Sequence, residues 1–243
     1  MKTLFINCSP KKSFSASSYL AAFQRLFVKG EKVTKKLRNK TDYAGMFQEL
    51  QDADTVVLCM PLYVDGLPSH VLAFFEEAEP FFLENGLRPN LYCIANNGFI
   101  EGRQNESLMR VVENFCQRAG INWQGGVGIG GGVMLNVTRV ILMVQAAIFF
   151  ALYLISGIQT GKFWNTGYLA AFLPNAGVFL FLNAGVISFL LLMGLHINKA
   201  SFFGKHYTRI LIPSLVFVPC ANVFFFILSL FQGGLFRGWL AKK

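Results

Sequence analysis

Thr55-Val-Val-Leu-Cys-Met60, followed at once by Pro61-Leu-Tyr-Val-Asp-Gly-Leu-Pro-Ser69, decides the fold. After Thr55 the run has no polar alternation, so it describes a strand buried on both faces, as a central strand of a parallel sheet is. Pro68 then opens a helix carrying Val71, Phe74, Phe75 and Ala78 on one side, because proline at the first turn has no amide hydrogen to lose.

The same strand-to-helix order recurs outward from this segment. Thr3 to Asn7 (TLFIN) reads as a buried strand, and a Ser-rich stretch leads into a helix with Leu20, Phe23 and Phe27 at three- and four-residue spacing. Val33 to Leu37 is a weakly marked strand, and Ala44 to Leu50 a short helix. Leu91 to Ala95 (LYCIA) is a fourth strand. Asn105 can cap a helix bearing Leu108, Val111, Val112, Phe115 and Ala119, which Gly120 ends. Residues 124–134 (QGGVGIGGGVM) form a fifth strand diluted by six glycines. The expectation is an α/β domain over residues 1–134 with a flavodoxin-like parallel five-stranded sheet, order 2-1-3-4-5. That order places a ligand crevice at the carboxyl ends of strands one and three.

Beyond residue 134 the composition changes. All 13 acidic residues precede Asn136, together with 14 of the 22 basic ones, so the second part holds eight bases and no acid within a net charge of +9. These bases are spread between long apolar runs rather than clustered, which argues against a nucleic-acid surface and for anchors at the ends of membrane helices. Val137 to Ile158, Tyr168 to Leu195 and Ile210 to Phe231 predict an all-α transmembrane region of three helices over residues 135–243, with the lipid bilayer as partner. The first residues lack the apolar core and cleavage site of a secretory signal, so the N-terminal domain is expected on the cytoplasmic side of a multi-pass membrane protein. Five cysteines without a CxxC pair or metal-ligand spacing read as small buried apolar residues; no metal site is expected. His70 reads as a surface residue at a helix start, and the lysines and arginine of residues 29–40 as a solvated edge.

Three loops leave strand ends on one edge of this sheet. In Asn7-Cys8-Ser9-Pro10-Lys11-Lys12-Ser13-Phe14-Ser15-Ala16-Ser17-Ser18, amides at a helix start, serine hydroxyls and lysines suit a dianionic phosphate. In the loop after strand three, a proline and an aromatic can flank a flat ring. Asn96-Asn97-Gly98-Phe99-Ile100-Glu101-Gly102 supplies a third wall.

On these segments the chain resembles the NADPH-dependent FMN reductase and flavodoxin-like NAD(P)H oxidoreductase families over residues 1–134. Ile6 to Leu20 is similar to their phosphate loop and PLYVDGLPS to their isoalloxazine loop. The resemblance implies FMN as cofactor and NAD(P)H as co-substrate. It puts Ser9, Ser15, Ser17 and Ser18 on phosphate, with Lys11 in the place of an arginine. Pro61, Leu62, Tyr63 and Val64 would border the ring, and Asn97, Gly98 and Phe99 would close it. The flavin would carry the chemistry, with no catalytic side chain, and electrons would pass to a quinone, another flavin or a membrane partner. Cys8 stands where glycine is usual. The last helix of the fold is expected to be absent, because a membrane span begins in its place, so one sheet face would need a second copy of the chain or the membrane as cover. These departures support a second expectation: a flavodoxin-like sensing or docking module without turnover.

Overall fold

The computed structural model describes residues 1–11, 15–161 and 167–231. The chain forms two compact units, Met1–Ile210 and a second beginning at Leu211.

The first unit is built on strands β1 (Lys2–Asn7), β2 (Glu31–Lys36), β3 (Thr55–Pro61), β4 (Asn90–Asn96), β5 (Asn122–Gly130) and β6 (Gly204–Arg209). All neighbouring pairs are parallel, in the order β2-β1-β3-β4-β5-β6. The first five strands reproduce the expected flavodoxin-like order. The sixth corrects the five-strand expectation, since Lys-His-Tyr-Thr-Arg lacks the apolar continuity that marks a strand from sequence. Its pairing with β5 requires glycine at position 125: a Cβ there, where φ is +117°, would lie 2.2 Å from the Gly204 carbonyl oxygen.

Alternation along the strands divides the core. Leu4, Ile6, Val56, Leu58, Met60, Leu91, Cys93 and Ala95 face helices α2 (Tyr43–Gln51), α3 (Ser69–Glu84) and α4 (Glu106–Ala119). The Phe75 and Phe115 rings stack there at 3.9 Å between centroids. The opposite face, with Phe5, Val57, Tyr92, Ile94, Val127 and Ile129 buried, lies under α1 (Ala16–Gln24) and α7 (Ala184–Asn198).

Helix α7 overturns two expectations. It occupies the place of the helix that sequence reading left absent, burying Val186, Leu190, Met193 and Ile197. Gly194 brings it so close to the turn after α1 that a Cβ would stand 2.5 Å from Phe27 Cβ. The Tyr92 hydroxyl donates to the Ser201 carbonyl at 2.8 Å, and Asn198 donates its side-chain amide to the Phe27 carbonyl at 2.9 Å. The predicted span over residues 168–195 therefore breaks. Its first part is α6 (Gly167–Leu182), its second is α7, and the two are bent by 66° at Asn183. His196 and His206 lie in the last turn of α7 and in β6, not in a connecting loop.

Between β5 and α7 the chain makes an excursion. Helix α5 (Gly132–Thr160) packs beside α6, with Phe149 and Phe172 in edge contact at 5.9 Å. Among the described residues α5 is the single helix long and apolar enough to cross a bilayer, or one of two if α6 and α7 count together; three spans are not found. Only 6% of its most apolar window is buried, so it is no core helix of the sheet unit. In the second unit, α8 (Ser214–Phe231) is uncharged and contains Pro219.

Cys8, Cys59, Cys93 and Cys116 are buried and Cys220 is exposed. Burial raises all four thiols, Cys93 to about 12. At pH 8 a thiol reagent is expected to modify Cys220 alone in the native protein and all five cysteines after denaturation; modification of any buried thiol at a comparable rate would contradict the packing. Because the folded state holds these protons above the unfolded thiol value of 9.0, it binds more protons than the unfolded state there. Stability should stay level up to pH about 8.5 and fall as pH rises from about 9 toward 12.

Candidate functional site

The carboxyl ends of β1, β3 and β4 lie side by side, Asn7 opposite Cys59 and Pro61 opposite Asn96. Ser9, Tyr63 and Gly98, one from each predicted loop, thus stand on one edge of the sheet. The loops are tied to each other: the Cys8 amide donates to the Cys59 carbonyl at 2.9 Å and the Leu62 amide to the Asn96 carbonyl at 2.8 Å.

In the first loop the Asn7 side chain accepts from the Ser9 amide at 3.1 Å, and Ser9 Oγ accepts from the Lys11 amide at 3.4 Å. These bonds turn the chain tightly after β1. Ser15 is the N-cap of α1; its hydroxyl accepts from the Ser18 amide at 3.1 Å. Buried Ser17 donates to Asn96 Oδ1 at 2.9 Å and so links α1 to the end of β4. Three of the four serines assigned to phosphate therefore make hydrogen bonds within the protein, while half-buried Ser18 and exposed Lys11 stand at the helix entrance. Lys12, Ser13 and Phe14 lie outside the described residues.

Pro61 and Leu62 are buried and Tyr63 and Val64 exposed. Tyr63 and Gly66 exchange two backbone hydrogen bonds of 3.0 Å, closing a two-residue turn through Val64 (φ 45°) and Asp65 (φ 58°). Such a turn requires positive φ at both central positions, which normally selects Asn, Asp or Gly. A β-branched residue there is strained. Val64 is fully exposed and buries nothing in exchange. Val64→Asn is expected to raise stability by about 1 kcal/mol in denaturant titration; no gain would mean that the turn is relaxed.

The third wall is the best enclosed. Asn97 is buried, its side-chain amide donates to the Glu101 carbonyl at 3.0 Å, and its Oδ1 finds no hydrogen-bond partner among the described residues. A buried acceptor left open costs about 1–3 kcal/mol, which a ligand N–H would relieve. Gly98 and Phe99 are exposed beside it.

Several residues here were not picked out from sequence. Arg38 donates Nη2 to the Lys11 carbonyl at 2.9 Å, bringing a guanidinium to the loop where lysine stands in place of arginine. Its position two residues past the end of β2, beside β1, was the available signal. His70 stands in the first turn of α3 as expected, but it is half-buried and its Nε2 lies 3.0 Å from the Cys8 carbonyl. The first turn of α5 also borders the third loop. The Gly131 amide donates to the Phe99 carbonyl at 2.6 Å and the Gly132 amide to the Asn97 carbonyl at 2.7 Å, where a Cβ on Gly132 would crowd the same oxygen at 2.9 Å. Residues 131–132 were expected inside a strand, so this wall was invisible.

The donor set suits a phosphate at the α1 entrance and a flat ring between the second and third loops. No protein-family model and no curated protein matches the chain. Among solved structures it is similar to a Trp repressor binding protein from Bacillus subtilis (TM-score 0.45, 17% identity, 53% of this chain and 84% of that one). It is also similar to an NADPH-quinone reductase from P. pentosaceus (TM-score 0.44, 16% identity, 54% and 86%). A third similarity is to an FMN-dependent NADH-azoreductase from Bacillus anthracis in complex with FMN, at TM-score 0.37 and 14% identity over 54% and 87% of the two chains.

Proposed function

We propose that this protein is an FMN-dependent NAD(P)H oxidoreductase held at a membrane by its apolar helices, with the sheet unit on the cytoplasmic side. The observation that carries the reading is the convergence of three loops on one sheet edge, with the open Asn97 acceptor buried in their midst. Lys11, Ser9, Ser18 and the α1 entrance would hold the phosphate, with Arg38 supporting Lys11 through its carbonyl. Pro61, Leu62, Tyr63 and Val64 would border the ring on one side and Asn97, Gly98 and Phe99 on the other. When bound, FMN supplies reversible two-electron transfer between a nicotinamide and an acceptor such as a quinone, another flavin or a membrane partner. The side chains would bind and orient it: Asn97 Oδ1 is placed to accept a hydrogen bond from the ring, and the buried Pro61, Leu62 and Asn97 would keep water from its edge. Membrane attachment is supported by α5, which is long, apolar and exposed.

Ser15 and Ser17, engaged within the protein, favour a second reading, a flavodoxin-like docking module without turnover. Full-length protein in mild detergent separates the two. Stoichiometric yellow flavin bleached by NADH or NADPH is expected, whereas colourless protein that takes up no added FMN would leave only the module. Ser18→Ala should weaken FMN binding about tenfold, the value of one hydrogen bond to a charged group, as read by flavin fluorescence. Unchanged affinity would remove Ser18 from the phosphate site.

A further inference from the structure

The excursion α5–α6 leaves the sheet at the edge that holds the crevice. Its first turn is part of the crevice wall, through the Gly131 and Gly132 amides on the Phe99 and Asn97 carbonyls. Met134 and Leu135 are still buried, and Arg139 lies over the Tyr19 ring of α1 at 4.7 Å from its centroid. After Arg139 the character changes at once. From Val140 to Thr160 there is no charge, and Ile141, Met143, Val144, Ile148, Phe150 and Ile155 are half exposed or more. Those 21 residues rise about 31 Å at 1.5 Å each, the thickness of a bilayer's hydrocarbon core. Arg139 therefore marks the level at which the helix passes from protein to lipid. Helix α6 comes back beside α5, and at Asn183 the chain returns to the sheet as α7.

The charge on that edge agrees. Lys36 ends β2, Lys11 and Arg38 follow β1 and β2, Arg103, ion-paired with Glu106, follows β4, and Arg209 ends β6. Asp65 and Glu101 are the exposed acids of the loops after β3 and β4. At the opposite edge Lys2, Lys29, Lys32, Arg88 and Lys199 stand among Glu31, Asp52, Asp54 and Glu84. Basic residues close to an anionic headgroup layer are attracted to it, each strengthening binding by about fivefold.

We infer that the carboxyl edge of the sheet is the face laid on an anionic bilayer, with α5 and α6 inserted and the crevice lips Tyr63, Val64 and Phe99 at the headgroup level. The inference rests on the membrane attachment proposed above and makes lipid-dissolved molecules the natural acceptors of that site. For a quinone the balance is NAD(P)H, one proton and quinone giving NAD(P)⁺ and quinol, the hydride supplying one quinol hydrogen and that proton, taken from solvent, the other.

Lipid-borne bromine quenching tests this without turnover. Full-length protein carrying Cys220→Ser and either Phe99→Cys or Arg88→Cys is labelled with bimane and reconstituted into phosphatidylcholine–phosphatidylglycerol vesicles with bromine on the acyl chains near the headgroup. Quenching at position 99 is expected to exceed that at position 88, on the far edge, by at least threefold. Equal quenching, or none at either site in protein that floats with the vesicles, would overturn the inference and leave membrane attachment standing. Protein that stays soluble and fails to float, including as an oligomer of this chain, would overturn both. The flavin spectrum is read on the Arg88→Cys sample, whose crevice is unaltered, so an empty crevice there counts against the proposed cofactor and not against the face.

Discussion

Leu190→Ala is expected to lower the stability of the sheet unit by about 2–5 kcal/mol, the range for deleting a fully buried leucine side chain. Leu191→Ala, one position along the same helix, should change it by about 0.5 kcal/mol or less. Leu190 is fully buried in α7, while Leu191 is 43% exposed. A transmembrane helix would not divide its leucines this way, because lipid solvates every face of an isolated span alike. Urea titration of detergent-held protein, followed by the fluorescence of half-buried Trp123 in β5, would measure the difference. Equal effects of the two substitutions would return α7 to the membrane and reopen the sheet face that it covers.

Gly102→Ala is expected to cost about 3 kcal/mol or more, the upper range for overpacking a site that cannot relax. Gly102 is the last residue of the third loop of the crevice and begins the turn Gly102–Asn105. Its Cβ would stand 2.2 Å from the Thr208 carbonyl oxygen and 2.6 Å from that of Gly128, both backbone atoms of paired strands. Neither can swing aside without opening β5 from β6. Gly45, in α2, is the control: nothing lies within 4 Å of its would-be Cβ, so Gly45→Ala should gain up to about 1 kcal/mol. If the Gly102 variant were as stable as the parent, the glycine-rich strand would owe its composition to something other than close backbone approach.

The glycines mark where sequence reading reached its limit. Six of them within residues 124–134 suggested a weak strand, and the structure turns that weakness into a packing requirement. Gly125 meets Gly204, Gly128 and Gly130 meet the 100–102 segment, and Gly132 meets the end of β4. None of these partners is near in sequence. The serines teach a similar lesson. Ser9, Ser15, Ser17 and Ser18 were alike as hydroxyls in a loop, and the fold gives Ser15 to a cap and Ser17 to Asn96.

What the sequence determined by itself is whatever short-range periodicity encodes: the buried strands β1, β3 and β4, the helices between them, their order in a parallel sheet, and the uncharged stretches that follow. Each rests on side chains a few residues apart that must share one face. What only the tertiary structure decided is where apolar length is used. Residues 168–195 read as one uncharged run, yet α6 faces outward and α7 closes the sheet beside a polar sixth strand. The physical reason is that hydrophobicity is non-directional. A sheet face and a lipid tail accept the same leucines, and the choice was made by Gly194 against Phe27 and by Tyr92 and Asn198 bonding across more than 100 residues.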